Sequence, residues 1–466
     1  MKKIFIILLI ISMIFCNMGN LTVVSAEENN NIWTGEVSDS YAGGDGTSKN
    51  PYQISTPEEL AYFKENINNG DNYKGKHFIL TTDIYMNDVS DFDSWDASNS
   101  PDNKWEGINN FAGTLDGNYH TIYGIYNVGK DNVGFFNIMD SKVKVEINNL
   151  NFDKCYIYGH DNVALIVGKA DNIYIDNCTV NGVVNGSNDY IAGFVGRSGS
   201  GGNMGTSITN SKNYANISGF SKIGGFIGYS TIGNSSGYDT SGNGNEKIVL
   251  MKCINKGSIS GHDSAGGIAG SISRSMNCGG VDLKNLVNEG DITIKSEYAG
   301  GIFGSLNAQY DKVSVEECFN KGKIEATDDY YSNNYLGGII GATYSSFTTL
   351  NVNNSYNIGE VYGKNSLGGI IGRFFAYTSG GTTISYCHNV GKIYSKENNS
   401  YAFLGSYQNL GWTDGSYRTS NSYYLYGTAD NSTYGSKTNV SSLDAEKYLD
   451  IKSFNSWDFD KIWIMG

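Results

Sequence analysis

GGFIG at Gly224–Gly228, GGIAG at Gly266–Gly270, GGIFG at Gly300–Gly304, GGIIG at Gly337–Gly341 and GGIIG at Gly368–Gly372 repeat one phrase five times. Aligned on the second glycine, the copies fall at Gly193, Gly225, Gly267, Gly301, Gly338 and Gly369, with Ala402 taking the slot in AFLGS. The third-glycine partners are Gly196, Gly228, Gly270, Gly304, Gly341 and Gly372. Steps of 32, 42, 34, 37, 31 and 33 residues are those of a repeat architecture. Weaker copies precede them at Ala164–Gly168 (ALIVG) and Val133–Phe136 (VGFF).

A second phrase follows each first one: CINKGSI from Cys253, LVNEGDI from Leu286, CFNKGKI from Cys318, YNIGEV from Tyr356 and CHNVGKI from Cys387. Each repeat reads as a strand, a variable loop, a strand ending in an Asn turn, and a third short strand. The segments alternate apolar with small or polar residues over about five positions, which suits half-buried strands and is too short for helices. Three such strands close no core alone. Stacked as coils about 4.8 Å apart, each pairs in parallel with its equivalent in the next repeat. The expected fold is an all-β parallel β-helix. The repeated glycines are then structural, placed where a Cβ would meet the neighbouring coil or where φ must be positive. A phosphate-binding reading of GGxxG is disfavoured, because no helix pattern or Lys-Ser/Thr follows it.

Composition agrees. All three prolines (Pro51, Pro57 and Pro101) precede residue 102, so the rest of the chain can donate an unbroken hydrogen-bond ladder. Net charge is −14, and −16 (31 basic against 47 acidic) without Lys2 and Lys3. That surface argues against nucleic acid as a partner, since phosphate binding needs clustered Lys and Arg. Residues 1–26, with two lysines before an apolar run and Val24 and Ala26 at the cleavage positions, read as a signal peptide. A secreted or cell-surface location with no stable membrane anchor after cleavage is the corresponding expectation. Cys178, Cys253, Cys318 and Cys387 are expected in one internal column with Leu286 and Tyr356, as inert thiols; Cys155 and Cys278 have no assigned place.

Segments are read as 27–125 entry and N-terminal cap, 126–430 repeats, and 431–466 C-terminal cap. In the entry, STPEELAYFKENINNG predicts a helix with Thr56 as N-cap, Pro57 in its first turn, Glu59 as capping-box partner, and Leu60, Phe63 and Ile67 on its buried face. SLDAEKYL from Ser442 is a second, shorter candidate.

GDGTSKNPYQISTPEELAYF, GINNFAGTLDGNYHTIYGI (Gly107–Ile125) and the GGxxG copies together resemble bacterial secreted or surface proteins carrying the GLUG motif, over roughly residues 40–466. The resemblance implies a right-handed β-helix, usually of unassigned activity. Similar repeats occur as the accessory region of immunoglobulin A metallopeptidases, but this chain has no H-E-x-x-H, so that zinc chemistry is not expected here.

No catalytic residue is assigned. His160-Asp161 and His262-Asp263 share a matching context, yet the corresponding loops elsewhere drop the pair. The slot after the third glycine (Lys169, Arg197, Tyr229, Ser271, Ser305, Ala342, Arg373 and Ser406) holds no carboxylate. The favoured function is a non-catalytic adhesion module binding polysaccharide or a host or cell-surface protein; the alternative is a carbohydrate-active β-helix enzyme, either lyase or glycosidase. No cofactor is expected, with calcium left open. The 34 tyrosines offer platforms for sugars, and Ser230–Lys247 and Ala342–Asn354 are expected to protrude as recognition loops.

Overall fold

The computed structural model describes residues 31–462 apart from 140–142, 200–204, 233–246, 275–279, 310–311, 328–333, 347, 378–379, 411–415, 434–437, 455–456 and 460–461. The chain winds into a parallel β-solenoid. A complete coil contributes five short strands rather than three: Ile248–Met251, Ile254–Asn255, Ile259–Gly261, Ser264–Gly266 and Ala269–Arg274 in one example. Each pairs in parallel with its counterpart in the next coil, as in Ile248↔Val281, Asn255↔Asn288, Gly266↔Gly300 and Ala269↔Phe303. The pairing begins at Tyr52–Ile54 on His77–Leu80, so the entry segment already supplies strands to the column.

The two sequence phrases meet inside the solenoid. The asparagines of the second phrase are Asn213, Asn255, Asn288, Asn320, Asn357 and Asn389, and all are fully buried. They form a ladder in which Nδ2 of each donates to Oδ1 of the next, from Asn213→Asn255 (2.6 Å) and Asn255→Asn288 (2.7 Å) to Asn288→Asn320, Asn320→Asn357 and Asn357→Asn389 (each 2.8 Å). The second proton of each amide goes to the carbonyl two residues on, as in Asn320 to Gly322 (2.9 Å).

Each of these asparagines lies against the second glycine of a first phrase. A Cβ on Gly301 would come 2.4 Å from Asn320 Cγ and 2.2 Å from the Gly338 carbonyl; on Gly338, 2.4 Å from Asn357 Cγ and 2.1 Å from the Gly369 carbonyl. None of the repeat glycines has positive φ; the positive-φ glycines lie elsewhere. The glycines are therefore required by close approach and not by backbone conformation, which corrects half of the expectation drawn from sequence. At both ends of the ladder the pairing changes together. The slot before Gly193 holds Leu165, in the coil where Val180 replaces Asn, and the last slot holds Ala402, where Tyr424 follows Asn389.

Positive φ is used at another corner, by Asn149, Asn177, Asn210, Lys252, Asn285, Glu317, Asn354, Tyr386 and Asn421, with φ from 47° to 55°. The residue after each is buried: Leu150, Cys178, Ser211, Cys253, Leu286, Cys318, Ser355, Cys387 and Ser422. This is the cysteine column, and its member in the Tyr356 coil is Ser355. Tyr356 stands one position on, stacked outside on Phe319 (4.7 Å). Cysteine and serine are interchangeable here because both donate to the carbonyl two residues back, Cys318 to Glu316 (3.2 Å) and Ser355 to Asn353 (2.8 Å). Cys155 follows the positive-φ Lys154 at a separate corner and bonds the Asp153 carbonyl in the same way (3.3 Å). All five described cysteines are free, and Cys278 lies outside the described residues.

The helix spans Pro57–Asn68 and buries Leu60, Phe63 and Ile67. Thr56 Oγ1 accepts from Glu59 N, while the Glu59 carboxylate reaches Ser55 N and not the N-cap amide. Phe63 packs on Phe78 and Phe111 at 4.6 and 5.2 Å, closing the first coil. At the far end a four-residue helix, Ala445–Tyr448, starts on Asp444. Trp457 and Phe454 pack beside Tyr423, and Trp457 stacks on His388 at 5.6 Å. That segment therefore lies along the outer face of the last coils.

Of the two expected loops, Ala342–Asn354 does not protrude. It consists largely of the strands Ile340–Ser346 and Thr349–Asn353, and Thr343 and Ser345 are buried. Parallel partners on both sides hold it in the ladder. Most of Ser230–Lys247 (233–246) lies outside the described residues.

Two outcomes are expected. Asn320→Ala strands Asn288 Nδ2, Asn357 Oδ1 and the Gly322 carbonyl in the core, and should lower stability by about 2–4 kcal/mol in urea unfolding. Burial pushes the thiols of Cys155, Cys178, Cys253, Cys318 and Cys387 up to about 12. The unfolded thiol loses its proton near pH 9 while the folded one keeps it, so these thiols' contribution is complete below about pH 9 and is lost as pH rises toward 12. Alkylating reagent at pH 8 should modify none of the five until the chain is unfolded, as read by mass spectrometry.

Candidate functional site

The His-Asp corner brings together the three residue types of a hydrolase triad. His262 Nδ1 lies 2.6 Å from Asp263 Oδ1, and Ser296 Oγ donates to the same carboxylate oxygen at 2.9 Å. In a triad the carboxylate holds Nδ1 and the serine faces Nε2. Here Ser296 Oγ is 3.5 Å from Nδ1, and Phe220 stacks on the imidazole at 4.6 Å. The serine bonds the acid and meets the imidazole at Nδ1, the nitrogen the acid already holds, so the trio ties two coils together. In the matching loop Asp161 accepts from Asp189 N (2.9 Å) and Asn188 Nδ2 (3.1 Å), and His160 is exposed. In this copy the aspartate alone braces the corner.

The other histidines serve separate coils. His120 contacts Asp83 at 3.2 Å, His77 opens a strand, and burial lowers the pKa of His388 to about 3. The slot after the third glycine is confirmed as one column by the pairings Lys169↔Arg197↔Tyr229↔Ser271↔Ser305↔Ala342↔Arg373↔Ser406. Arg373 is held between Tyr335 and Phe375, each 4.4 Å from its guanidinium, and bonds Gln408. Among the described residues no three His, Cys, Asp or Glu side chains converge as a metal-binding group.

A cleft of about 320 Å³ opens on a different face, over the strands Thr121–Tyr123, Asn151–Gly159 and Thr179–Gly186. Its cause is a gap in an outward ladder. Strand register pairs Tyr85 with Tyr123 and Tyr123 with Asp153, and Asn181, Tyr214 and Lys256 each follow by one position the paired residues Val180, Asn213 and Asn255 of the successive coils. Tyr85 and Tyr123 stack at 4.5 Å with an 8° tilt, and Lys256 Nζ lies 5.7 Å from the Tyr214 ring. Each terminal tyrosine thus has one face covered by its outer neighbour and lines the cleft with the rest. Between them stand the short Asp153 and Asn181, flanked by Thr121, Asn151 and Thr179. Three inter-strand steps separate the two rings, about 14 Å.

The polar floor is fixed by its own bonds. Asn181 Nδ2 donates to Asp153 Oδ1 at 2.7 Å, and Lys154 N donates to the same oxygen at 2.9 Å. Burial raises the pKa of Tyr123, with Asp83 and Asp153 adding to the effect, so its hydroxyl stays a donor at neutral pH. Asp153 is the one carboxylate among the lining residues, whereas glycoside hydrolysis takes two. Sequence reasoning pointed to tyrosines in general and missed these. The outward column is readable after the second-phrase asparagine (Tyr214, Lys256, Glu289, Lys321), but its continuation through Asn181 and Asp153 crosses a register shift between Phe152 and Cys155.

No protein-family model matches the chain. Over 164 residues, 34% of this chain, it is 32% identical to Halomucin of Haloquadratum walsbyi, and it spans 2% of that protein's length. A solved structure from Bacteroides ovatus, described as a candidate immunoglobulin A1 protease, aligns with 64% of this chain and 85% of its own, at 20% identity and a TM-score of 0.43.

The corner geometry has a direct check. A fluorophosphonate probe should leave Ser296 unmodified, and Ser296→Ala should lower stability by about 1 kcal/mol, the size of one hydrogen bond. Stoichiometric labelling of Ser296 would contradict the brace.

Proposed function

We propose that this chain is an extracellular β-helical repeat protein of the GLUG type that binds glycans in the lateral cleft without cleaving them. The supporting observation is the interrupted ladder: two tyrosine rings three coils apart, with amide, hydroxyl and carboxylate groups between them. Sugar rings have an apolar face that lies on an aromatic ring and hydroxyls at the edges that both donate and accept. The cleft supplies both kinds of partner on rigid strands, and its volume is near the lower end for small-molecule sites, so it takes a short stretch of a longer glycan. The extracellular placement is supported by the leader-like residues 1–26. A cleaving reading is less well supported, because the lining supplies a single carboxylate.

The test fills the gap. Asn181→Tyr places a ring beside Tyr214 and occupies half of the gap, so it should abolish binding on an oligosaccharide array, with the melting temperature as the folding control. Tyr214→Ala should weaken binding roughly tenfold, the equivalent of about 1.4 kcal/mol, and incubation with bound glycans should release no reducing ends. Retained affinity in Asn181→Tyr would contradict the assignment of the cleft.

A further inference from the structure

Charge in the cleft narrows the class of ligand, an argument that rests on the glycan reading above. Asp153 is the sole charged side chain among the lining residues. Both bonds it receives within the protein fall on Oδ1, which leaves Oδ2 to accept from a ligand. The other charges nearby lie outside the lining residues. Asp83, whose Oδ1 accepts from Thr121 N at 2.9 Å, adds a second carboxylate at the Tyr123 end. Lys154 is turned to another ring, its Nζ 5.3 Å from Phe92. Lys256 lies over Tyr214 one coil further on, and Lys212 follows Thr179 in the adjoining column, outside the lining residues.

We infer that the cleft selects uncharged sugar rings, one hydroxyl of which donates to Asp153 Oδ2, and turns away rings bearing uronate or sulfate groups. A ligand hydroxyl exchanges its hydrogen bond with water for one to a carboxylate, a charge-assisted bond stronger than a neutral one. A ligand carboxylate or sulfate at the same place meets a like charge within a few ångströms, partly shielded from solvent, and has no cation among the lining residues to answer it. The acidic balance of the whole chain acts in the same direction at longer range.

The experiment uses the full chain on an array carrying neutral and uronate-bearing oligosaccharides of matched length, with wild type and Asp153→Asn side by side. The substitution keeps the size and shape of the side chain, and its melting temperature serves as the folding control. Wild type should bind neutral members at least tenfold more tightly than acidic ones. Asp153→Asn should cut that ratio at least fivefold by losing neutral affinity and gaining acidic affinity, and 1 M salt should shrink the wild-type ratio by screening. Equal affinity of wild type for the two sets, or an unchanged ratio in Asp153→Asn, overturns the charge selection while leaving glycan binding standing. Failure of wild type to bind any member overturns the glycan reading itself.

Discussion

A buried amide needs room and partners, and in this solenoid one column of residues supplies the room for another. Six asparagines fill the interior where six glycines leave space; the first five amides donate to the asparagine of the next coil, and all six donate to a carbonyl two residues along. Neither column is stable without the other. An unpaired amide at those depths would carry the full cost of desolvation, and any Cβ on the glycine would enter both the amide and the carbonyl of the next coil. The ends of the ladder show the same constraint: Leu165 with Val180, and Ala402 with Tyr424, replace amide and void together.

The rest of the coil is fixed around that pairing. A ladder of identical side chains fixes the register, because a slip of one residue would carry every asparagine to the outside. With register fixed, outward positions also line up coil by coil, and a column of outward rings becomes a stack. The cleft lies where that column holds the short Asp153 and Asn181 between Tyr123 and Tyr214. Its lining is thus carried on or beside strands held in the main ladder, which leaves the cleft largely preformed.

Much of the fold was legible in the sequence for the same reason. Glycines at 31- to 42-residue steps, proline confined to the first 101 residues, and short alternating segments admit few structures besides stacked coils. The helix at Thr56 was equally legible, because capping chemistry is local. What could not be read was why asparagine recurs. In a single sequence Asn before a glycine looks like a turn, and only the register shows it turned inward. The cysteine column was misplaced by one residue at Tyr356, because Ser355 had no visible reason to replace cysteine until each was seen to donate to the carbonyl two residues before it. Ala342–Asn354 read as a loop because its serines and threonines are polar, yet Thr343 and Ser345 face inward. The cleft was hidden for a different reason: it is defined by residues that interrupt a pattern, in the coils where the repeat is weakest.

The ladder rests on the amide protons of six side chains. In protein labelled with ¹⁵N-asparagine, side-chain amide hydrogen exchange measures them directly. The account predicts that the Nδ2 protons of Asn213, Asn255, Asn288, Asn320, Asn357 and Asn389 exchange as slowly as the backbone amides of the strands around them. Exchange of these groups at the rate of surface asparagines such as Asn99 would contradict the ladder, and with it the reason given for every glycine beside it.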